Sequence, residues 1–126
     1  MSRYEAAKRE ALVNANFQQL DRKGKQIDQQ ITRNQQQITR IEKIETIFSD
    51  MNLKQKNQLE DLSANWKGEY ARAVLSETAS NYQRFQRHQQ REIFENKRAL
   101  IQNTRTLQQE QDKITQAKRM AIRGGR

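Results

Sequence analysis

The chain has no proline and no cysteine, and only four glycines and one tryptophan among its 126 residues. Without proline, the residue that most often breaks a helix from inside is missing. Without a thiol there is no disulfide, no cysteine nucleophile and no zinc site built on sulfur. Valine occurs only at positions 13 and 74, and no stretch alternates apolar and polar residues as a half-buried strand would, so no sheet is expected. Long apolar runs are also lacking: hydrophobic residues make up 33% of the chain, below the roughly 45–50% of ordinary globular domains. The mean hydropathy is -1.19. No segment approaches the roughly 20 apolar residues that span a bilayer, and "MSRYEAAKREALVNANF" has no apolar region of a secretory signal. A thick core is excluded on the same grounds.

What is abundant is glutamine, arginine, lysine, glutamate and alanine, residues that lose little side-chain freedom in a helix. The expected class is all-α. In the first half, Val13, Phe17, Leu20, Gly24, Ile27, Ile31, Asn34, Ile38 and Ile41 follow an unbroken four-three spacing, a heptad seam. Gly24 within it reads as a point of close approach. After Ile41 the apolar residues fall at Ile44, Phe48 and Met51, which reads as a register slip that overwinds a coiled coil locally.

In the second half Tyr82 and Phe85 are three apart, and Ile93, Leu100, Leu107, Ile114 and Ala121 then recur every seven. The companion positions assigned by that spacing, Asn96, Asn103 and Glu110, are polar. So thin a seam holds two helices weakly, and Tyr82, Phe85, Ile93, Leu100, Leu107 and Ile114 are predicted to be the face that receives a partner. Two stretches offer caps: "FSDMN" at 48–52, and "SANWKG", where Ser63 and Asn65 precede Gly68. The second is the stronger break, since glycine inside a helix costs about 1 kcal/mol against alanine. A turn there leaves arms of similar length, so the expected architecture is one long antiparallel helical hairpin: arm one about 4–62, turn 63–68, arm two 69–121 and a frayed basic tail 122–126. Trp66 is expected to plug the closed end, with Gly68 supplying the turn's backbone freedom.

The net charge is +9. Residues 1–61 hold 11 basic and 9 acidic side chains, and residues 62–126 hold 13 and 6. The excess in the second half, ending in Lys113, Lys118, Arg119, Arg123 and Arg126, suits nucleic acid, anionic lipid or an acidic protein. Yet Tyr82, Phe85 and Phe94 sit at core-like spacing and acids are interleaved up to Asp112, which favours a protein partner over nucleic acid. No catalytic, cofactor-binding or metal-ligating residues are assigned. His88, the single histidine, has no second histidine or cysteine to complete a site and reads as a solvated helix residue. The carboxylates fall among Lys and Arg at helical spacings, such as Glu5 with Lys8 and Arg9, or Glu92 with Asn96 and Lys97, and read as surface charge pairs. No phosphate loop or nucleophile motif is present, so no enzyme and no small-molecule substrate are expected.

Asn65-Trp66-Lys67-Gly68 between two long polar helices resembles the Trp-x-Gly superfamily of type VII secretion proteins. The pattern "IEKIETIF…LEDLSANWKGEYARAVLSE…YQRF" looks most like the small helical helper proteins encoded beside LXG toxins, over residues 27 to 116. The resemblance implies a non-enzymatic targeting chaperone. Its partners would be the N-terminal helical region of an LXG toxin, a second small helical protein and, through that complex, the secretion ATPase. It would act in the cytoplasm or leave the cell with its partner by the type VII route. Superfamily members with their own export signal carry an aromatic residue, three residues and an acid near the end of the second helix. No tyrosine or phenylalanine follows Phe94 here, and Phe17 and Asp21 have that spacing only in the first arm. Two other readings compete: a coiled-coil stalk component of a flagellar or type III export ATPase, which would not require Trp-x-Gly, and a basic coiled coil associated with nucleic acid, whose affinity would fall steeply with salt.

Overall fold

A computed structural model of the chain describes residues 2–124. It is a helical hairpin of two long helices, α1 (Arg3–Asn65) and α2 (Glu69–Gly124), with no strand among the described residues. Proline is absent, and each start has its own signal. Ser2 caps α1: its Oγ accepts from the Glu5 amide at 3.2 Å and its carbonyl from the Ala6 amide at 3.2 Å. Ser-x-x-Glu is the spacing of a capping box, a signal present in "SRYE".

"FSDMN" does not interrupt α1, because capping residues without a glycine or proline to unwind the backbone are tolerated inside a helix. The connection is shorter than the expected 63–68, and only 66–68 leave the helix. Helix α1 closes with the Trp66 amide on the Leu62 carbonyl at 2.8 Å, while Asn65 folds back to donate to the Asp61 carbonyl at 2.9 Å. Gly68 has φ 118°, a conformation that a Cβ disfavours. Its carbonyl accepts the Arg72 amide at 3.0 Å and so opens α2. The second helix runs past the expected end at 121 as far as Gly124. The rest of the expected frayed tail, Gly125 and Arg126, lies outside the described residues.

The chain forms two compact units, one of residues 1–36 with 100–126 and the other of residues 37–99. The first is a pair of antiparallel helical segments. Its inward positions on α1 are those of the heptad seam, with Gly24, Ile27 and Asn34 buried and Val13, Phe17, Leu20 and Ile31 half-buried. Opposite them Ile114 and Thr104 are buried. Thr104 meets its own need inside α2 by donating to the Leu100 carbonyl at 2.8 Å. Gly24 is not held to glycine by crowding, contrary to the close-approach reading. A Cβ there would meet Gln111 Oε1 at 3.5 Å and Ile114 Cγ2 at 3.7 Å, ordinary contacts.

The second unit is the hairpin's turn-bearing half, and here the predicted register slip does not occur. Glu45, Phe48, Asn52, Gln55 and Leu59 are half-buried and continue the four-three spacing, while Ile44 and Met51 are exposed. The phase of a helix is set by all of its turns together, and shifting it locally requires overwinding the backbone. Polar residues can keep the inward positions because they find partners: Lys97 of α2, itself at an inward position, places Nζ 3.2 Å from Glu45 Oε1 and 3.8 Å from Glu42 Oε1. Lys97 thus pairs across the seam and not with Glu92, whose Oε1 lies 3.2 Å from His88 Nε2 on an exposed face.

Candidate functional site

The two units differ in what they leave open. In the unit of residues 1–36 and 100–126, polar groups lock the helices together. Asn34, 3% exposed, donates from Nδ2 to Asn103 Oδ1 at 2.7 Å and accepts at Oδ1 from Gln30 Nε2 at 3.2 Å. About two turns away Gln111 Nε2 donates to the Gly24 carbonyl at 3.1 Å and to Asp28 Oδ1 at 2.6 Å, leaving its own Oε1 buried without a partner. Lys118 stands over the Phe17 ring, 5.5 Å from its centroid, and donates to Asp21 Oδ1 at 2.9 Å. That hydrogen bond, with a second from Lys25, holds the Asp21 carboxyl below its usual 3.8.

Of the six residues predicted to receive a partner, Leu100, Leu107 and Ile114 belong to this unit. Ile114 is 7% exposed and Leu100 and Leu107 are half-buried, so the chain's own α1 already covers much of this stripe. The neighbours assigned to it were one residue early: Thr104 and Gln111, not Asn103 and Glu110, alternate with Leu107 and Ile114 along the inward face. In the unit of residues 37–99 the same holds of Lys97 in place of Asn96. There Tyr82 and Ile93 are half-buried, whereas Phe85 is 54% exposed.

Two open surfaces flank the seam of that second unit. One is a groove of about 930 Å³ between the helices. Leu53, Leu59, Leu75 and Tyr82 give it apolar walls, Ser63, Ala64, Ser76 and Ala79 keep it wide, and Lys56 and Glu60 are its charged residues. The other surface carries Ile44, Ile47 and Met51, spaced three and four apart on α1 and each about half or more exposed. Across from them Phe85 meets Phe48, ring centroids 6.4 Å apart. Leu53 and Met51 are two residues apart, about 200° round a helix that turns about 100° per residue, so groove and stripe face different ways.

At the turn, Trp66 is not the buried plug expected. It is 37% exposed, and its ring meets the edge of exposed Tyr70 with centroids 6.1 Å apart. Both residues belong to the connection and the first turn of α2, so the contact is local and closes nothing between the helices.

Among the described residues no group of three or more histidine, cysteine, aspartate or glutamate side chains could hold a metal ion, and no helix is long and apolar enough to cross a membrane. Comparison with protein-family models, with curated proteins and with solved structures gives no match.

Proposed function

We propose that this chain is a non-enzymatic helical binding partner, a targeting chaperone for the N-terminal helical region of an LXG-type toxin in type VII secretion. One observation carries the binding part of the reading. The turn-bearing unit buries a single small apolar residue, Ala71, while Ile44, Ile47, Met51, Leu53 and Phe85 remain about half or more exposed. An isolated domain seldom leaves a stripe such as Ile44, Ile47 and Met51, with Phe85 beside it, open unless another chain covers it. A groove between two antiparallel helices is also the shape into which a further helix packs. The type VII setting rests on the resemblance of Asn65-Trp66-Lys67-Gly68 and its flanking helices, and the break of the helix at Trp66–Gly68 agrees with a Trp-x-Gly turn.

The test is recovery of the tagged chain from the cell that makes it, washed at about 0.5 M salt to remove charge-driven contacts, with co-purifying proteins identified by mass spectrometry. The reading expects one larger protein with a helical N-terminal region, with or without a second small helical chain. Recovery of an export ATPase, or of nothing once nucleic acid is washed away, overturns it.

A further inference from the structure

We infer that the Ile44–Met51 face, not the groove, is the principal docking surface, and that it receives an acidic amphipathic helix from a different protein. This rests on the binding role proposed above and names the surface and the chemistry of the partner. Ile44, Ile47 and Met51 form one stripe with Phe85 beside it, the i, i+3, i+7 pattern onto which the apolar face of a helix lays. Of the groove's large apolar walls only Leu53 is exposed, Leu59, Leu75 and Tyr82 being half-buried already, and its charges, Lys56 and Glu60, offset each other.

The rim of the stripe selects the partner's charge. On α1 the cations Arg40, Lys43 and Lys54 and one acid, Asp50, stand outside it, three or four residues from Ile44, Ile47 or Met51, and Arg84 adjoins Phe85 on α2, so the rim is net positive. All four cations are exposed, and among the described residues none of them takes part in an ion pair. Aspartates and glutamates flanking the partner's apolar stripe would meet these free cations, while basic residues would be repelled. The same rim argues against a second copy, because an isologous contact through this face would set these cations against themselves. Nucleic acid would find phosphate partners on the rim but, apart from the one exposed ring of Phe85, only Ile44, Ile47 and Met51 at its centre, where successive bases need aromatic faces or hydrogen bonds.

The experiment places a benzophenone amino acid at position 51 and, separately, at position 53 in the groove, and irradiates the living source cell. The expected result is a crosslink from position 51 to a helical segment of another protein, with apolar residues three and four apart flanked by aspartate and glutamate. A parallel variant, K43E/K54E/R84E, alters only exposed side chains. It is expected to keep its far-UV circular dichroism and lose about tenfold or more of the partner recovered. Crosslinking from position 53 alone overturns the choice of face but leaves the binding role standing. A crosslink to a second copy, to nucleic acid or to a basic segment overturns the partner's chemistry, as does undiminished recovery by the charge-reversed variant. If the unmodified chain recovers no protein, the binding role itself fails and this inference with it.

Discussion

The Asn34–Asn103 hydrogen bond makes a prediction that separates stability from register. Asn34 is 3% exposed, and its Nδ2 reaches Asn103 Oδ1 at 2.7 Å. Asn103→Ala removes the acceptor and leaves a buried amide donor facing an apolar seam. An unsatisfied buried donor costs about 1–3 kcal/mol. Position 103 is itself exposed, so water can reach part of the way in and the lower half of that range is expected.

Replacing both residues has the opposite sign. In Asn34→Leu with Asn103→Leu the hydrogen bond, worth only about 0.5–1.5 kcal/mol net, is exchanged for apolar burial worth about 1.5–3 kcal/mol for a leucine that becomes fully covered. The double variant is therefore expected to be as stable as the parent or more so. What it loses is the most deeply buried of the side-chain pairings that fix which turn of α2 lies against which turn of α1, and polar pairs in coiled-coil seams specify register and association state at a cost in stability. Urea unfolding followed by far-UV circular dichroism measures the first effect, and sedimentation equilibrium the second. The reasoning is refuted if Asn103→Ala unfolds within about 0.3 kcal/mol of the parent, or if the double-leucine variant populates no association state beyond the parent's.

Gly24→Ala is expected to stabilise the chain by up to about 1 kcal/mol, since its methyl would make only the ordinary contacts with Gln111 and Ile114; a lower urea midpoint refutes this. Gly68→Ala meets nothing within 4 Å, so its cost comes from backbone strain at φ 118° alone, about 1–2 kcal/mol in the same assay. Trp66→Ala is expected to cost about 1–2 kcal/mol, less than the roughly 3–5 of a core tryptophan, because the indole remains 37% exposed. Asp21 is lowered below 3.8 by Lys118 first and Lys25 second, so its stabilising pairings are complete above that pH and disappear as pH falls through the lowered value. Thermal melts of Asp21→Asn should show less loss than the parent over that acid range, and parallel curves would refute the assignment.

How much of this was legible in the sequence divides along the same seam. The hairpin, the absence of sheet and the break at Gly68 follow from residue types whose backbone preferences act locally. The heptad in residues 13–41 follows from spacing, because its apolar residues mark the inward face directly. Beyond Ile41 that marker fails. Ile44 and Met51 are more apolar than Glu45 and Asn52, yet it is Glu45 and Asn52 that point inward, because the phase established over four preceding heptads persists and Lys97 supplies Glu45 with a counter-charge across the seam. The same one-residue offset appears on α2 at Lys97, Thr104 and Gln111. A single sequence ranks positions by their own hydrophobicity and has no term for the partner waiting opposite. Trp66 is the converse case: its size suggested burial, but it sits where the chain leaves the helix, 37% exposed, with its ring against the edge of Tyr70. The apparent register slip therefore carries information of a different kind. Apolar residues that fall out of phase with a continuing seam must emerge on its flank, and Ile44, Ile47 and Met51 do so beside uncommitted cations. The irregularity that misplaces the intramolecular core is the feature on which the proposed docking face rests.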